Sequence, residues 1–155
     1  MQLFQKRIHI FIWLILFMLA IIIPNVTAAE KAEGAATEIQ KPSHYLVATY
    51  FHNTFRCPTC HLIEEQSTEA IQKNFANELK NGTLVWRVIN VDEPQNQHYT
   101  KDYKLYTKHL IISEVKDGKE VRWKDLQNVW TLVHNQEKFE QYVTSEIKDW
   151  LKGLS

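Results

Sequence analysis

The sequence predicts an α/β domain, a mixed four-stranded sheet flanked by helices in the order β-α-β-α-β-β-α. Three observations carry that prediction. His44 to Phe51 (HYLVATYF) is continuously apolar, β-branched or aromatic, the composition of a strand buried on both faces. A helical period from Cys57 to Lys80 separates it from a second such run, Thr83 to Val91 (TLVWRVINV). Two strands joined through a helix pair in parallel by a right-handed crossover. Lys116-Asp117-Gly118-Lys119 then lies between two short strand-like runs, and Asp-Gly tolerates the positive φ of a tight hairpin.

Each element has its own signal. In the first helix the apolar positions are Leu62, Ile63, Ala70, Ile71, Phe75 and Leu79, and Asn81-Gly82 ends it. Asp92, Glu93 and Pro94 supply a cap, an acid and a first-turn proline, which predicts a helix through Tyr99 and Tyr103 to about Leu105. Leu110 to Val115 and Glu120 to Lys124 form the arms of the hairpin. Asp125 is expected to cap a short helix through Trp130 and Val133. Asn135 is expected to cap the last helix, whose Phe139, Tyr142, Val143, Ile147, Trp150 and Leu151 form one stripe. Trp86, Trp123, Trp130 and Trp150 fall on apolar faces and are read as core, Tyr99 and Tyr103 as packing, and His44, His98 and His134 as surface.

Composition excludes several function classes. The chain has 155 residues, 18 basic and 18 acidic, so it offers no basic field for nucleic acid and no polybasic patch for anionic lipid. Two cysteines are too few for a disulfide-dense scaffold or a four-cysteine zinc ribbon. The N-terminus is different material. Lys6 and Arg7 precede sixteen residues, Ile8 to Ile23, of which only His9 is polar, and Val26-Thr27-Ala28 follows Pro24. A charged segment, an apolar segment and small residues read as a secretory signal over 1–28. Sixteen helical residues reach about 24 Å, short of a hydrocarbon core of about 30 Å, which weighs against the alternative of an uncleaved signal anchor. Residues 29–43 are rich in Ala, Glu and Lys and read as a tether, leaving 44–155 as the folded domain. The expected location is the periplasm or the outer face of the cytoplasmic membrane, with membrane contact only through an uncleaved N-terminal segment.

Cys57-Pro58-Thr59-Cys60 stands where the first strand hands over to the first helix. A thiol at a helix N-terminus faces unpaired N–H groups and the positive end of the dipole, which stabilise thiolate. Arg56 and His61 add positive charge on either side. Cys57 is the expected attacking sulfur, and Cys60, one turn further on, the resolving one. A C-x-x-C pair at a strand-to-helix junction in this order of elements points to a dithiol–disulfide cycle.

With the strands HYLVATYF and TLVWRVINVDEP, the motif RCPTC and the Asp117-Gly118 hairpin, the chain resembles the thioredoxin-like superfamily over roughly residues 44 to 152. YFHNTFRCPTCHLIE, VINVDEPQN and DGKEVRWKDLQNVW are similar to exported thioredoxin-like proteins of the ArsF family, a nitrophenyl-compound nitroreductase subunit. The resemblance implies a thioredoxin-like fold, protein thiol or disulfide partners, and work beside a membrane electron transporter. No flavin or nicotinamide fingerprint accompanies it, and no cofactor is expected.

Two departures from the thioredoxin pattern stand out. Thioredoxins place a cis-proline before the third strand; here that place holds Thr107-Lys108-His109, expected to bring a hydroxyl, an ammonium and an imidazole near the thiols. Thioredoxins also keep a buried acid in the first strand, where this chain has no carboxylate and His52 is the nearest titratable group. Glu64, one turn beyond Cys60, and Glu65 are candidate proton carriers, weighed against an ordinary solvated helix face. The expected tuning residues are thus Arg56, Pro58, Thr59, His61, Glu64, Thr107, Lys108 and His109. Other readings of the same thiols stay open. Cys57, Cys60, His52 and His61, with His109 beside them, are a possible donor set for copper or zinc. CPTCH also matches the c-type haem attachment pattern, and a purely structural disulfide is the plain alternative.

Overall fold

The computed structural model describes residues 42–154. The expected signal segment 1–28 and nearly all of the expected tether 29–43 lie outside the described residues. Strand β1 (His44–His52) is the centre of the sheet because both its faces are apolar and both its edges find partners. It pairs in parallel with β2 (Leu84–Asn90), from Leu46 opposite Leu84 to His52 opposite Asn90. On its other edge it pairs antiparallel with β3 (His109–Lys116), which pairs antiparallel with β4 (Lys119–Asp125). The order β2-β1-β3-β4 is the mixed four-stranded sheet the sequence predicts.

The alternation of side chains along β1 divides the apolar interior in two. Leu46, Ala48 and Tyr50 face helices α1 (Pro58–Asn74) and α5 (Gln136–Lys152), and pack with Ile63, Ala70, Ile71, Phe75, Phe139, Val143 and Ile147. Phe51 points the other way, into a smaller cluster with Val91, Leu105 and Ile111 that Tyr99 and Tyr103 cover. Each fully buried Leu, Ile or Phe contributes about 1.5–3 kcal/mol of transfer free energy, so this double burial holds the strand in register. The final helix follows its apolar stripe, and its Asn135 cap accepts from the Lys138 N–H at 3.1 Å. Asp117 and Gly118 have φ of 51° and 76°, the two positive values of a type I′ hairpin turn.

Several expectations are corrected. The helix expected from Cys57 to Lys80 breaks at Phe75, whose φ of −132° turns its side chain into the core. The chain resumes as the short α2 (Ala76–Asn81), which Gly82 ends at φ 79°. No continuous helix forms between Asp92 and Leu105, only a 3-10 turn at Pro94–Asn96 and the single-turn α3 (His98–Asp102). The Asp92 carboxylate is bound elsewhere and caps neither. Asp125 likewise does not cap α4 (Val129–Leu132), because it ends β4 and its carboxylate is bound to His109. Trp123 is 39% exposed rather than core, its ring edge-on to Tyr103. His44 is not a free surface residue but a partner of Glu114.

Glu114, on β3, is a buried acid held between His44 of β1, whose Nε2 lies 2.8 Å away, and the guanidinium of Arg122 on β4. Arg122 in turn lies 4.3 Å over the Trp150 ring, tying α5 to the sheet. The hydrogen bond with His44 and the Arg122 charge hold the Glu114 carboxyl below the ordinary range, against the opposing effect of burial. The folded state therefore binds this proton more weakly than the unfolded state. The associated stability is present above the ordinary carboxylate pKa and is lost as pH falls through the lower, native value. Urea unfolding between about pH 6 and about pH 3 should show a steeper acid loss in the native sequence than in Glu114→Gln. Equal slopes would remove Glu114 from the acid response.

Candidate functional site

The chain leaves the sheet at His52, crosses Asn53 to Arg56, and begins α1 with Cys57 as its N-cap. Cys57 takes an extended conformation, φ −80° and ψ 162°, and Pro58 follows at the first helical position, where its missing N–H costs nothing. Cys60 stands at the third helical position, which brings the two Cα atoms to 5.1 Å and the sulfurs into a disulfide. The Cys60 N–H points at the Cys57 sulfur and the Cys57 N–H at the Cys60 sulfur, both at 3.2 Å. Backbone donors at a helix start thus converge on both sulfurs, the arrangement that favours thiolate once the bond is opened. The pair is unequal: Cys57 is partly exposed, whereas Cys60 is 1% exposed.

Tyr50 lies beneath the motif. It is wholly buried on β1, and its hydroxyl donates to the Cys60 carbonyl at 2.8 Å. Burial pushes its pKa up to about 12, outweighing the nearby Arg56 charge, so the phenol stays a neutral donor at working pH. The sequence reading missed this residue. Its signal was the period of two along β1, which points Tyr50 to the same face as Leu46 and Ala48, toward α1. His52 lies 6.2 Å from the Tyr50 ring, with its Nδ1 at 2.9 Å from the Asn53 carbonyl.

The expected tuning residues divide. Arg56 and Glu64 come together as an ion pair, so Arg56 does not present a free charge to the sulfurs and Glu64 is not an idle solvated acid. Glu65 is exposed, as are His61 and Pro58, while Thr59 is partly exposed beside the pair. Around the start of β3 the expected tuning residues have partners of their own. His109 is buried, its Nδ1 bonded to Asp125 at 2.8 Å and its Nε2 facing the Tyr106 N–H at 3.4 Å. The Lys108 carbonyl accepts from the Trp130 indole at 3.0 Å, and the Lys108 charge is the smallest of the influences that lower the Asp92 pKa. Thr107 lines a cavity of about 320 Å³ with Tyr106, His109, Gln127 and Trp130. No hydrogen bond or ion pair among the described residues joins Thr107, Lys108 or His109 to either cysteine. No group of three or more His, Cys, Asp and Glu is arranged to hold a metal among the described residues, in which Cys57 and Cys60 are joined as a disulfide.

Asp92, expected as a helix cap, is bound instead to the loop that leads to the disulfide. Its carboxylate accepts from the Asn53 side chain and from the Thr54 N–H, both at 2.8 Å, and the first of these bonds does most to hold its pKa below the usual carboxylate range. Phe55 and Tyr106, 81% and 80% exposed, project from loops at the same end of the sheet as the disulfide.

No protein-family model and no curated protein matches the chain. Among solved structures it is similar to an X-ray structure of a thioredoxin from Fasciola hepatica, at 22% identity over 65% of this chain and 80% of that one, with a TM-score of 0.38. The fold itself is read from the topology. A four-stranded sheet ordered β2-β1-β3-β4, in which β3 alone runs against the others, with a disulfide at the junction of β1 and α1, is a thioredoxin-like fold.

Tyr50→Phe should destabilise the disulfide form by about 0.5–1.5 kcal/mol in urea unfolding, the net worth of one buried hydrogen bond. A change within error would mean that the phenol's bond to the first turn of α1 adds nothing to stability.

Proposed function

We propose that the protein is a thiol-disulfide redox carrier that cycles Cys57 and Cys60 between dithiol and disulfide. The observation that supports it is the inequality of the pair: a reachable sulfur at the helix N-cap, bonded to a buried sulfur one turn inside. In the oxidising direction, a partner thiolate attacks the Cys57 sulfur, the Cys57–Cys60 bond breaks, and Cys60 leaves as thiolate and takes up a proton. A second partner thiolate then attacks its own mixed sulfur, a partner disulfide forms, and Cys57 is released as thiolate. Two electrons pass to the pair, and the reverse sequence returns them. Cys57 is the group that touches the partner and Cys60 the one that releases it, with Tyr50 and the Arg56–Glu64 pair holding the first turn in place.

The Lys6-Arg7 segment and the apolar run after it support export to the periplasm or the outer membrane face. There, as the ArsF resemblance suggests, the carrier would pass electrons between a membrane thiol transporter and an envelope protein. A copper or zinc role for the same thiols has less support, because His52 faces the Asn53 carbonyl and Cys60 is buried.

In the reduced protein, iodoacetamide near pH 7 should label Cys57 well before Cys60. Equal labelling, or Cys60 first, would remove the assignment of roles. Cys60→Ser leaves Cys57 able to attack and unable to release, so mixed disulfides with partner proteins should accumulate on non-reducing gels. A well-folded, exported Cys60→Ser protein that traps nothing would sink the carrier function.

A further inference from the structure

We propose that Asp92 is a positioning residue for the redox pair, clamping the segment that presents Cys57. The inference rests on the redox reading above and concerns how the pair is kept in reach of itself. β1 and β2 are parallel, so their C-terminal ends lie side by side, and the last ladder contact is the Val91 N–H to the His52 carbonyl at 2.8 Å. Beyond that point the backbone ladder stops and side chains continue it. The two oxygens of Asp92 are divided between Asn53 Nδ2 and the Thr54 N–H, and Asn90 Nδ2 donates to the Thr54 hydroxyl at 3.1 Å. Asp92 is itself fixed, because its own N–H donates to the Asn90 side-chain oxygen at 3.1 Å.

Thr54 is three residues before Cys57. Of the two residues between them, Arg56 is anchored to Glu64 on α1, and Phe55 projects into solvent. The path to the attacking sulfur is therefore pinned at both ends, by Asp92 at Thr54 and by Glu64 at Arg56. Reduction removes the covalent tie between Cys57 and Cys60, and these contacts, together with the helix bonds from the Cys60 and His61 N–H groups to the Cys57 carbonyl, then limit how far the two sulfurs separate. A pinned segment keeps the effective concentration of one thiol at the other high, which favours the disulfide and speeds resolution of a mixed disulfide. Freeing the segment lowers that concentration and shifts the pair toward the dithiol. A loss of structure elsewhere would lower thermal stability without moving this equilibrium.

The test is equilibration of the full chain in glutathione buffers, with the redox state of the pair read by alkylation, for the native sequence, Asp92→Ala and Asn53→Ala. Asp92→Ala should raise the reduced fraction, changing the equilibrium constant about twofold to tenfold, the span of one net hydrogen bond. Asn53→Ala removes one bond and no charge, and should shift the constant in the same direction by less. If Asp92→Ala moves the constant and Asn53→Ala does not, the effect is one of charge and the clamp is overturned. If neither moves it, the clamp is overturned as well. If the native pair never reaches a reversible equilibrium with glutathione, the redox reading itself fails, a result distinct from both.

Discussion

A strand that is apolar on both faces cannot lie at the edge of a small sheet, and the architecture of this protein follows from that constraint on β1. Its even-numbered side chains require α1 and α5, and Phe51 requires a second cover, which Tyr99 and Tyr103 supply. With a partner strand on each side, its C-terminal end lies inside the sheet's end, beside the C-terminal end of β2 and the start of β3. The disulfide occurs there because Cys57 caps α1, with only Asn53 to Arg56 between it and the end of the strand. Helix N-termini leave backbone donors unsatisfied, and in this protein two of those donors point at sulfur.

Much of the fold was legible because its signals are local and periodic. The β1 run, the Asp117-Gly118 turn and the Asn135 cap each depend on a few neighbouring residues, and all are found as read. The failures share a cause. Asp92 and Asp125 have the composition of helix caps, but each is drawn to a partner brought near only by folding: Asn53 and Thr54 for one, His109 for the other. Phe75 is a similar case, since helical periodicity continues through it while the core claims its ring and breaks the helix. A carboxylate satisfied over thirty-odd residues of chain leaves no trace in local propensity.

The candidate site was half legible. Cys57 and Cys60 follow from spacing and position. Their surroundings depend on which faces meet, and here the expectations were least exact. Arg56 was read as an open positive charge and is instead paired with Glu64. An ion pair in that position directs less field onto the sulfurs than a lone guanidinium. The place beneath the motif is filled by a buried phenol that remains protonated, so it can fix the geometry of the first turn but cannot accept a proton from Cys60.

The outer strand β4 has a separate consequence. Four of its first six residues, Lys119, Glu120, Arg122 and Lys124, are charged and exposed, and its register with β3 shifts at Glu114 and Val115. A bulged edge this densely charged offers a poor template to a fifth strand from another molecule. The sheet can therefore end there without inviting stacking between copies. The end of the sheet that carries the disulfide has the opposite character, with a partly exposed Cys57 and the exposed rings of Phe55 and Tyr106.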